Sequence, residues 1–360
     1  VRILLLAHGP SIHTRRWATA LRDRGHSILL LTAHAGEDAG VPARVVGSPW
    51  PVKALHYGSA LGAVRREMRV FRPDVTVAHF LPNYGFLAAL AQARPWMLVC
   101  WGSDLLTNAR RSPLHRVRAR YVLRRAGLIH VDAAVLAEAA VALGAPAARV
   151  WTRPWGVDDG AFEQAGESRP SRNGAEAVRL LWTRQLEPVY DPETFVRALG
   201  FLKRRGVTFR ATMAGDGPLR ASVEAWVREE DVAREVVLEG FVGSRRLRAL
   251  QREGDLYISL ARSDSTSQSL LEAMAAGLIP VVSDIAGNRE WVTHRQEGYL
   301  VPVGDANALA CAIAEASRDP AGDVYRARAG AAVKARARFA DTLDQLEVKL
   351  DALAGSGSAP

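Results

Sequence analysis

Lysine and cysteine are both scarce in this chain of 360 residues, which has no long apolar run and no cluster of His and Cys. The two cysteines, Cys100 and Cys311, imply no disulfide framework and suit a reducing, cytoplasmic compartment. No apolar stretch approaches the roughly 18 residues a membrane span requires. The opening "VRILLLAHGP" carries an apolar run of five residues and reads as a buried strand rather than a signal peptide. No Asp-x-Asp pair follows a strand candidate, so no catalytic metal and no cofactor is expected. Lysines number four (Lys53, Lys203, Lys334 and Lys349), so the formal charge of +9 is almost wholly arginine. Arginine-rich, lysine-poor usage is weak support for nucleic acid and better support for a surface that accepts acidic partners such as phospholipids.

What is present is rhythm. Short apolar runs alternate with helical patterns, and the length favours two domains. Strand candidates are 2–7, 27–32, 74–78, 97–101 and 128–131 in the first half, then 178–182, 208–213, 235–238, 255–259 and 279–282. Those of the first half are short, continuous and apolar, as strands covered on both faces are. Helix-like stretches lie between them, such as 14–24, ended by Gly25. The pattern predicts α/β chemistry: two doubly wound, Rossmann-like parallel-sheet domains facing each other across a cleft. Their expected bounds are 1–157 and 158–335. A linker of Gly, Ser, Pro and charge spans 160–177, a last helix runs over 336–354, and the tail 355–360 is expected to be disordered. Ligands of such sheets sit outside the carboxyl ends of the strands, which singles out the loops that follow them.

One of those loops stands out. Residues 263–277 read "SDSTSQSLLEAMAAG". Five of the six residues after Asp264 carry a hydroxyl or a side-chain amide, and Glu272 follows eight positions after Asp264. Ser265, Thr266 and Ser267 are all good N-cap types for a helix beginning near Ser267. A helix start offers unpaired N–H groups and partial positive charge to a phosphate. A carboxylate does the opposite and accepts hydrogen bonds from sugar hydroxyls. Hydroxyls at both ends with phosphates between them describe a nucleotide sugar; a capped helix with a solvated Glu is the plainer reading.

The stretch resembles the acid-x7-acid signature of glycosyltransferase family 4, with Asp264 where that family usually has Glu. "LLEAMAAGLIPVVSD" (270–284), "MAGDGPLR" (213–220), "LEGFV" (238–242), "GNREWVTHRQEGYLVPVGD" (287–305) and "RPWGVDDGAF" (153–162) are similar to the same family. The resemblance covers most of 1–310 and implies the GT-B fold and a retaining transfer from a nucleotide-diphosphate sugar. UDP is the favoured base and GDP-mannose the second.

It also implies roles. Glu272 would bind the ribose, and Ser267, Gln268, Ser269 and Leu270 would meet the diphosphate. Phe241 and Val242 would lie beside the base, Gly215 would allow close backbone approach, and Asp264 would contact the transferred sugar. Arg184 in "WTRQLEPVYD" would clamp the leaving diphosphate, with an ion pair to Glu187 as the structural alternative. The family usually has a lysine about six residues on; this chain has none there, and Tyr190 would donate a hydrogen bond to the donor instead, without bringing charge. In the first half, Gly9, His13 and Thr14 would approach phosphate and sugar. His79 and Asn83 (from "AHFLPNYG"), with Trp101 and Asp104 (from "VCWGSDLL"), would lie on the acceptor side, His79 with a catalytic part. Many members have His where this chain has Trp101, and Trp cannot relay protons.

Residues 110–125, "RRSPLHRVRARYVLRR", hold seven arginines interleaved with Leu, Val and Tyr. A basic amphipathic helix suits an anionic membrane surface, so a peripheral position at the inner face of the membrane is expected. The arginines lack an aromatic platform for nucleic acid. The sequence thus predicts a hexosyl transferase acting on a lipid-linked or small-molecule glycan precursor. A non-catalytic nucleotide-sugar-binding subunit, or a GT-B epimerase or hydrolase, stands as the alternative. Oligomeric state is not legible.

Overall fold

A computed structural model describes residues 1–34, 40–46, 53–163 and 176–356. The chain divides into two compact units, Val1–Pro154 with Asp341–Pro360, and Trp155–Ala340. Most of the expected linker, residues 164–175, and the last four residues of the expected tail, 357–360, lie outside the described residues. The linker's first residues belong to a short helix, Asp159–Glu163, and the last helix runs on to Ser356.

The first unit is built on a sheet of seven strands: β1 (Arg2–Leu6), β2 (Ser27–Thr32), β3 (Ala43–Val45), β4 (Val75–His79), β5 (Trp96–Val99), β6 (Leu128–Val131) and β7 (Val150–Thr152). Their order is β3-β2-β1-β4-β5-β6-β7, and the named pairs are parallel. The order reverses between β1 and β4, whose register pairs Ile3 with Val75. All of β4 and β5 is buried, while the edge strand β3 is exposed throughout. That gradient explains which strands the sequence revealed. Central strands are unbroken apolar runs, whereas β3 and β7 are three residues long and carry no periodicity. Helices cover the faces, with Leu4, Leu6, Leu31, Trp96, Leu98, Val122 and Leu123 in the core. The helix Phe339–Ser356 closes this unit. Its buried Leu346 and Leu350 meet Ile3, Trp17, Leu21 and Val77 around a small apolar space. At its rim Arg24 pairs with Asp344 at 2.6 Å, and Glu347 with Arg24 and with His26 at 2.8 Å.

The second unit repeats the plan with six strands: β8 (Val178–Trp182), β9 (Phe209–Met213), β10 (Val236–Leu238), β11 (Leu256–Ser259), β12 (Ile279–Ser283) and β13 (Tyr299–Val301). The order is β10-β9-β8-β11-β12-β13, again with parallel pairing. Here the reversal falls between β8 and β11, where Tyr257 stands opposite Leu181. Alternation along each strand sorts the core into two layers. Leu180, Trp182, Leu256 and Ile258 face one helical layer, and Leu181 and Tyr257 face the other with Leu271, Met274 and Val282. Two doubly wound parallel α/β units, as the sequence predicts, are therefore present; β13, inside a quoted motif, was not among the expected strands.

Candidate functional site

In a doubly wound sheet, the loops leaving two neighbouring strands in opposite directions open a crevice where the strand order reverses. In the second unit those are the loops after β8 and β11. Arg184 lies two residues beyond β8 and Asp264 five beyond β11. Arg184 Nη2 donates to Asp264 Oδ2 at 2.7 Å, and Nη1 donates to Ser267 Oγ at 2.6 Å and Ser269 Oγ at 3.1 Å. Its guanidinium carbon stands 4.0 Å from the centre of the Tyr190 ring. Asp264, rather than Glu187, is thus the carboxylate that meets it. The Arg184 side chain is only 11% exposed. Burial works against its charge, but Asp264, with Tyr257 and Tyr190, outweighs burial and holds the pKa above the ordinary arginine value.

The backbone beneath Arg184 is equally fixed. Trp182, stacked on Phe195 at 5.5 Å, donates its indole N–H to the Arg184 carbonyl at 2.8 Å. A Cβ at Gly215 would come within 2.2 Å of that carbonyl oxygen, so the loop after β9 can pack there only with glycine. Leu186 N–H to Asp216 and Leu219 N–H to Leu186, each at 3.0 Å, tie the two loops together.

The helix expected near Ser267 spans Gln268–Ala275 with Ser267 as its N-cap, Oγ accepting from Leu270 N at 3.3 Å. Leu270 N–H is therefore engaged by the cap. The N–H groups of Gln268 and Ser269 belong to the first turn, which has no acceptors within the helix. Ser265, Thr266 and Ser267 are buried. Two of their hydroxyls are engaged within the protein: Thr266 Oγ1 accepts from the Trp291 indole at 3.3 Å, and Ser267 Oγ accepts from Arg184. The Tyr257 hydroxyl donates to Ser269 Oγ at 2.8 Å. Gln268 donates to the Gly156 carbonyl at 2.8 Å and to Glu272 Oε1 at 3.3 Å, placing Glu272 one turn along the same face. A Cβ at Gly287 would lie 1.9 Å from the Ser265 carbonyl oxygen, so the short helix Ala286–Arg289 seats directly against this loop. Phe241 is 88% exposed on the loop after the edge strand β10, while Val242 packs inward.

In the first unit the corresponding crevice lies at β1 and β4. Gly9 donates its N–H to Thr32 Oγ1 at 3.0 Å, and His13 and Thr14 open the helix Ile12–Asp23. His79 ends β4 and is 1% exposed. Its ring lies 5.7 Å from Trp17 and 5.9 Å from Trp101, which in turn is 5.9 Å from His13. Burial, with His130 and His13 nearby, drives the His79 pKa down to about 3, so its imidazole is neutral. Burial likewise lowers His130 to about 4, partly opposed by its hydrogen bond to the Arg153 carbonyl. Asp104 is fully buried and accepts from the N–H groups of Leu81, Trp101 and Leu105, each at 3.1 Å. It fastens the loop after β5 to the π-helical turn Phe80–Gly85 that holds the half-buried Asn83. Burial raises its pKa to about 6 against those three donors.

The structure brings Arg184, Tyr190, Asp264, Ser267 and Ser269 into direct contact, with Gln268 and Glu272 on the adjoining helix and Gly215 beneath Arg184. His13, His79 and Trp101 form one aromatic group in the other unit. Tyr257, Trp182 and Gly287 were missed. Tyr257 did carry a signal, a hydroxyl-bearing ring between Leu256 and Ile258. Among the described residues, no group of three or more His, Cys, Asp or Glu side chains could hold a metal ion, and no helix is long and apolar enough to cross a membrane.

Comparison with known proteins adds to this geometry. Residues 8–156 match the "Glycosyl transferase 4-like domain" family and residues 167–336 match "Glycosyl transferases group 1". The chain is similar to the amylovoran biosynthesis glycosyltransferase AmsK of Erwinia amylovora, 25% identical over 312 residues, or 81% of this chain and 75% of that protein. It is also similar to the putative colanic acid biosynthesis glycosyltransferase WcaL of Escherichia coli K12, 29% identical over 262 residues, or 69% and 62% of the two chains. In fold it is similar to HepE of Anabaena, solved in complex with UDP, with a TM-score of 0.78 at 18% identity, covering 98% of this chain and all of that one.

Proposed function

The chain is a glycosyltransferase of GT-B fold, related to the glycosyl transferases group 1 and the glycosyl transferase 4-like families, and on that premise we propose that it moves a hexose from a nucleotide-diphosphate sugar to an acceptor hydroxyl with retention of anomeric configuration. The observation that carries this reading is the placement of a buried, paired arginine, Arg184, between Asp264 and the N-cap of the helix bearing Glu272. Arg184 and the helix start supply positive potential where the diphosphate leaves. Glu272 takes the ribose, Asp264 the transferred sugar, and Phe241 and Val242 the base, with Gly215 keeping the loop close. Tyr190 lies on the guanidinium and occupies the region where a lysine is absent. No metal enters this mechanism; Arg184 and backbone N–H groups carry the charge that develops. UDP is the favoured base, a choice supported by the UDP bound in the HepE structure.

In the transfer step the acceptor hydroxyl approaches the anomeric carbon on the face the phosphate leaves. Its C–O bond forms as the carbon–phosphate-oxygen bond breaks, and its proton passes to the leaving phosphate oxygen. In the first unit, Gly9, His13 and Thr14 are the candidates for sugar and phosphate, and Asn83 and Trp101 the candidates for the acceptor. His79, for which the sequence suggests a catalytic part, is buried and neutral, so we assign it, with the buried Asp104, to holding that side in shape.

The acceptor we propose is a lipid-linked glycan precursor, met on the cytoplasmic side of an anionic membrane. The helix Pro113–Arg125 supports this: Leu114 and Val117 are 76% and 66% exposed among exposed Arg111, Arg116 and Arg120. The donor reading is tested by thermal shift across UDP, GDP, ADP and dTDP sugars, followed by NMR of the product anomer. Stabilisation by one base with an α-to-α or β-to-β product supports it. No shift with any of the four overturns it, and sugar epimerisation without acceptor would replace transfer by another chemistry.

A further inference from the structure

We infer that Tyr257 is a positioning residue for the transfer step, acting through Ser269 on the guanidinium of Arg184. The inference rests on the reading of Arg184 as the group that meets the leaving diphosphate. Tyr257 is fully buried in β11, and strand alternation aims it at the helix Gln268–Ala275, on the face opposite to Leu256 and Ile258. It stands opposite Leu181 of β8, three residues before Arg184. Its hydroxyl is the one polar atom it takes into that apolar layer, and that hydroxyl ends on Ser269 Oγ at 2.8 Å.

Proton bookkeeping gives the contact a direction. Ser269 Oγ accepts from Tyr257 and from Arg184 Nη1, which uses both of its lone pairs. Ser267 Oγ, 3.2 Å away, already accepts from Leu270 N and uses its other lone pair on the same Nη1 of the arginine, at 2.6 Å. Two hydroxyls thus face one guanidinium nitrogen as acceptors, and the Tyr257 hydroxyl fills the second lone pair of Ser269 and so fixes where its oxygen points. Asp264 holds the other terminal nitrogen. The plane of the guanidinium is therefore set by three oxygens, one of them oriented from the sheet. Preorganisation of this kind acts on the rate of the step rather than on the binding of the donor.

Tyr257→Phe keeps the ring and removes the hydroxyl; Ser269→Ala breaks the same chain at its other end while keeping the backbone N–H. The full-length wild type and the two single and one double variants are compared for UDP affinity by calorimetry, for UDP release from UDP-glucose, and for thermal melting; GDP and GDP-mannose form a parallel arm. The expected result is a roughly tenfold fall in kcat for each single variant, KM for the donor within about twofold, and a double variant no worse than the poorer single. If Tyr257→Phe melts well below the wild type, Ser269→Ala carries the test. Wild-type kcat in a well-folded Tyr257→Phe, or losses that multiply in the double variant, overturn the inference while leaving the donor site standing. A wild type that binds neither nucleotide and releases neither overturns the donor reading, and this inference falls with it.

Discussion

Arg184 and Asp264 are 80 residues apart in sequence and meet at 2.7 Å across the reversal point of the second sheet. The pair joins the two loops that any ligand at this crevice must touch. Because Nη1 is shared by two serines while Nη2 holds Asp264, the arginine works as a planar fork with a separate partner on each prong. A lysine keeps the charge but is a single point and cannot span these oxygens. Arg184→Lys is therefore expected to lower kcat/KM by about tenfold to a hundredfold, and Arg184→Ala by about a hundredfold to a thousandfold, the range of a lost transition-state donor. Steady-state UDP release measures both. Equal activity of Arg184→Lys and the wild type would show that charge alone suffices.

How much of this was legible follows from where each contact lives. The acid-to-acid spacing, the Ser267 cap and the central strands are local patterns, and the chain displays them as such. The Arg184–Asp264 pair is not local: it exists because strand order reverses between β8 and β11, and no spacing encodes that. Read from sequence alone, Glu187 was the nearer partner for Arg184. The hydroxyl loop suggests a phosphate cradle in sequence, whereas the structure buries Ser265, Thr266 and Ser267 and engages Thr266 and Ser267 within the protein. Tyr257 was hidden because a strand residue's partner depends on which face it takes.

Gly287 illustrates a second kind of hidden determinant. Any Cβ there would sit 1.9 Å from the Ser265 carbonyl oxygen, with the Asp264 carbonyl at 2.8 Å. Both are backbone atoms of the loop that presents Asp264, so the loop must move. Gly287→Ala is expected to destabilise the second unit by about 1–3 kcal/mol, as overpacking does, and to weaken UDP binding severalfold. Calorimetric melting together with UDP titration checks this. A variant with unchanged melting and affinity would mean the loop is softer than its packing implies.

The buried histidines set a pH dependence whose sign can be worked out. His79 and His130 have pKa values of about 3 and 4 in the folded protein against 6.5 ordinarily, so the unfolded chain binds more protons between those limits. Their contribution to stability is full above about pH 6.5 and is lost as pH falls through 4 and 3. Asp104 runs the other way: raised from 3.8 to about 6, it favours the folded state below 3.8 and loses that contribution as pH rises through 6. Urea unfolding between pH 6.5 and 4.5 is expected to weaken toward acid by up to about 1.4 kcal/mol per pH unit for each histidine. His79→Gln and His130→Gln should each flatten that slope, and Asp104→Asn should steepen it. Identical slopes in all four proteins would remove these groups from the acid response.

The exposed face of the helix Pro113–Arg125 sets the last expectation. Leu114 and Val117 lie one turn apart, mostly exposed, and Arg111 and Arg116 flank them. Two other arginines of this helix are engaged with rings, Arg125 over Tyr121 at 3.8 Å and Arg118 near Phe86 at 5.9 Å. Burying an exposed Leu or Val at a lipid boundary contributes about 1.5–3 kcal/mol, and each basic residue near an anionic surface about 1 kcal/mol. The wild type should therefore float with vesicles containing phosphatidylglycerol and much less with pure phosphatidylcholine, and high salt should weaken the binding. Leu114→Glu combined with Val117→Glu should reduce flotation at least tenfold without changing UDP affinity, because those residues belong to the other unit's surface. No flotation of the wild type would assign the arginines of this helix to a solvated face, and flotation unchanged in the double variant would remove Leu114 and Val117 from the membrane contact.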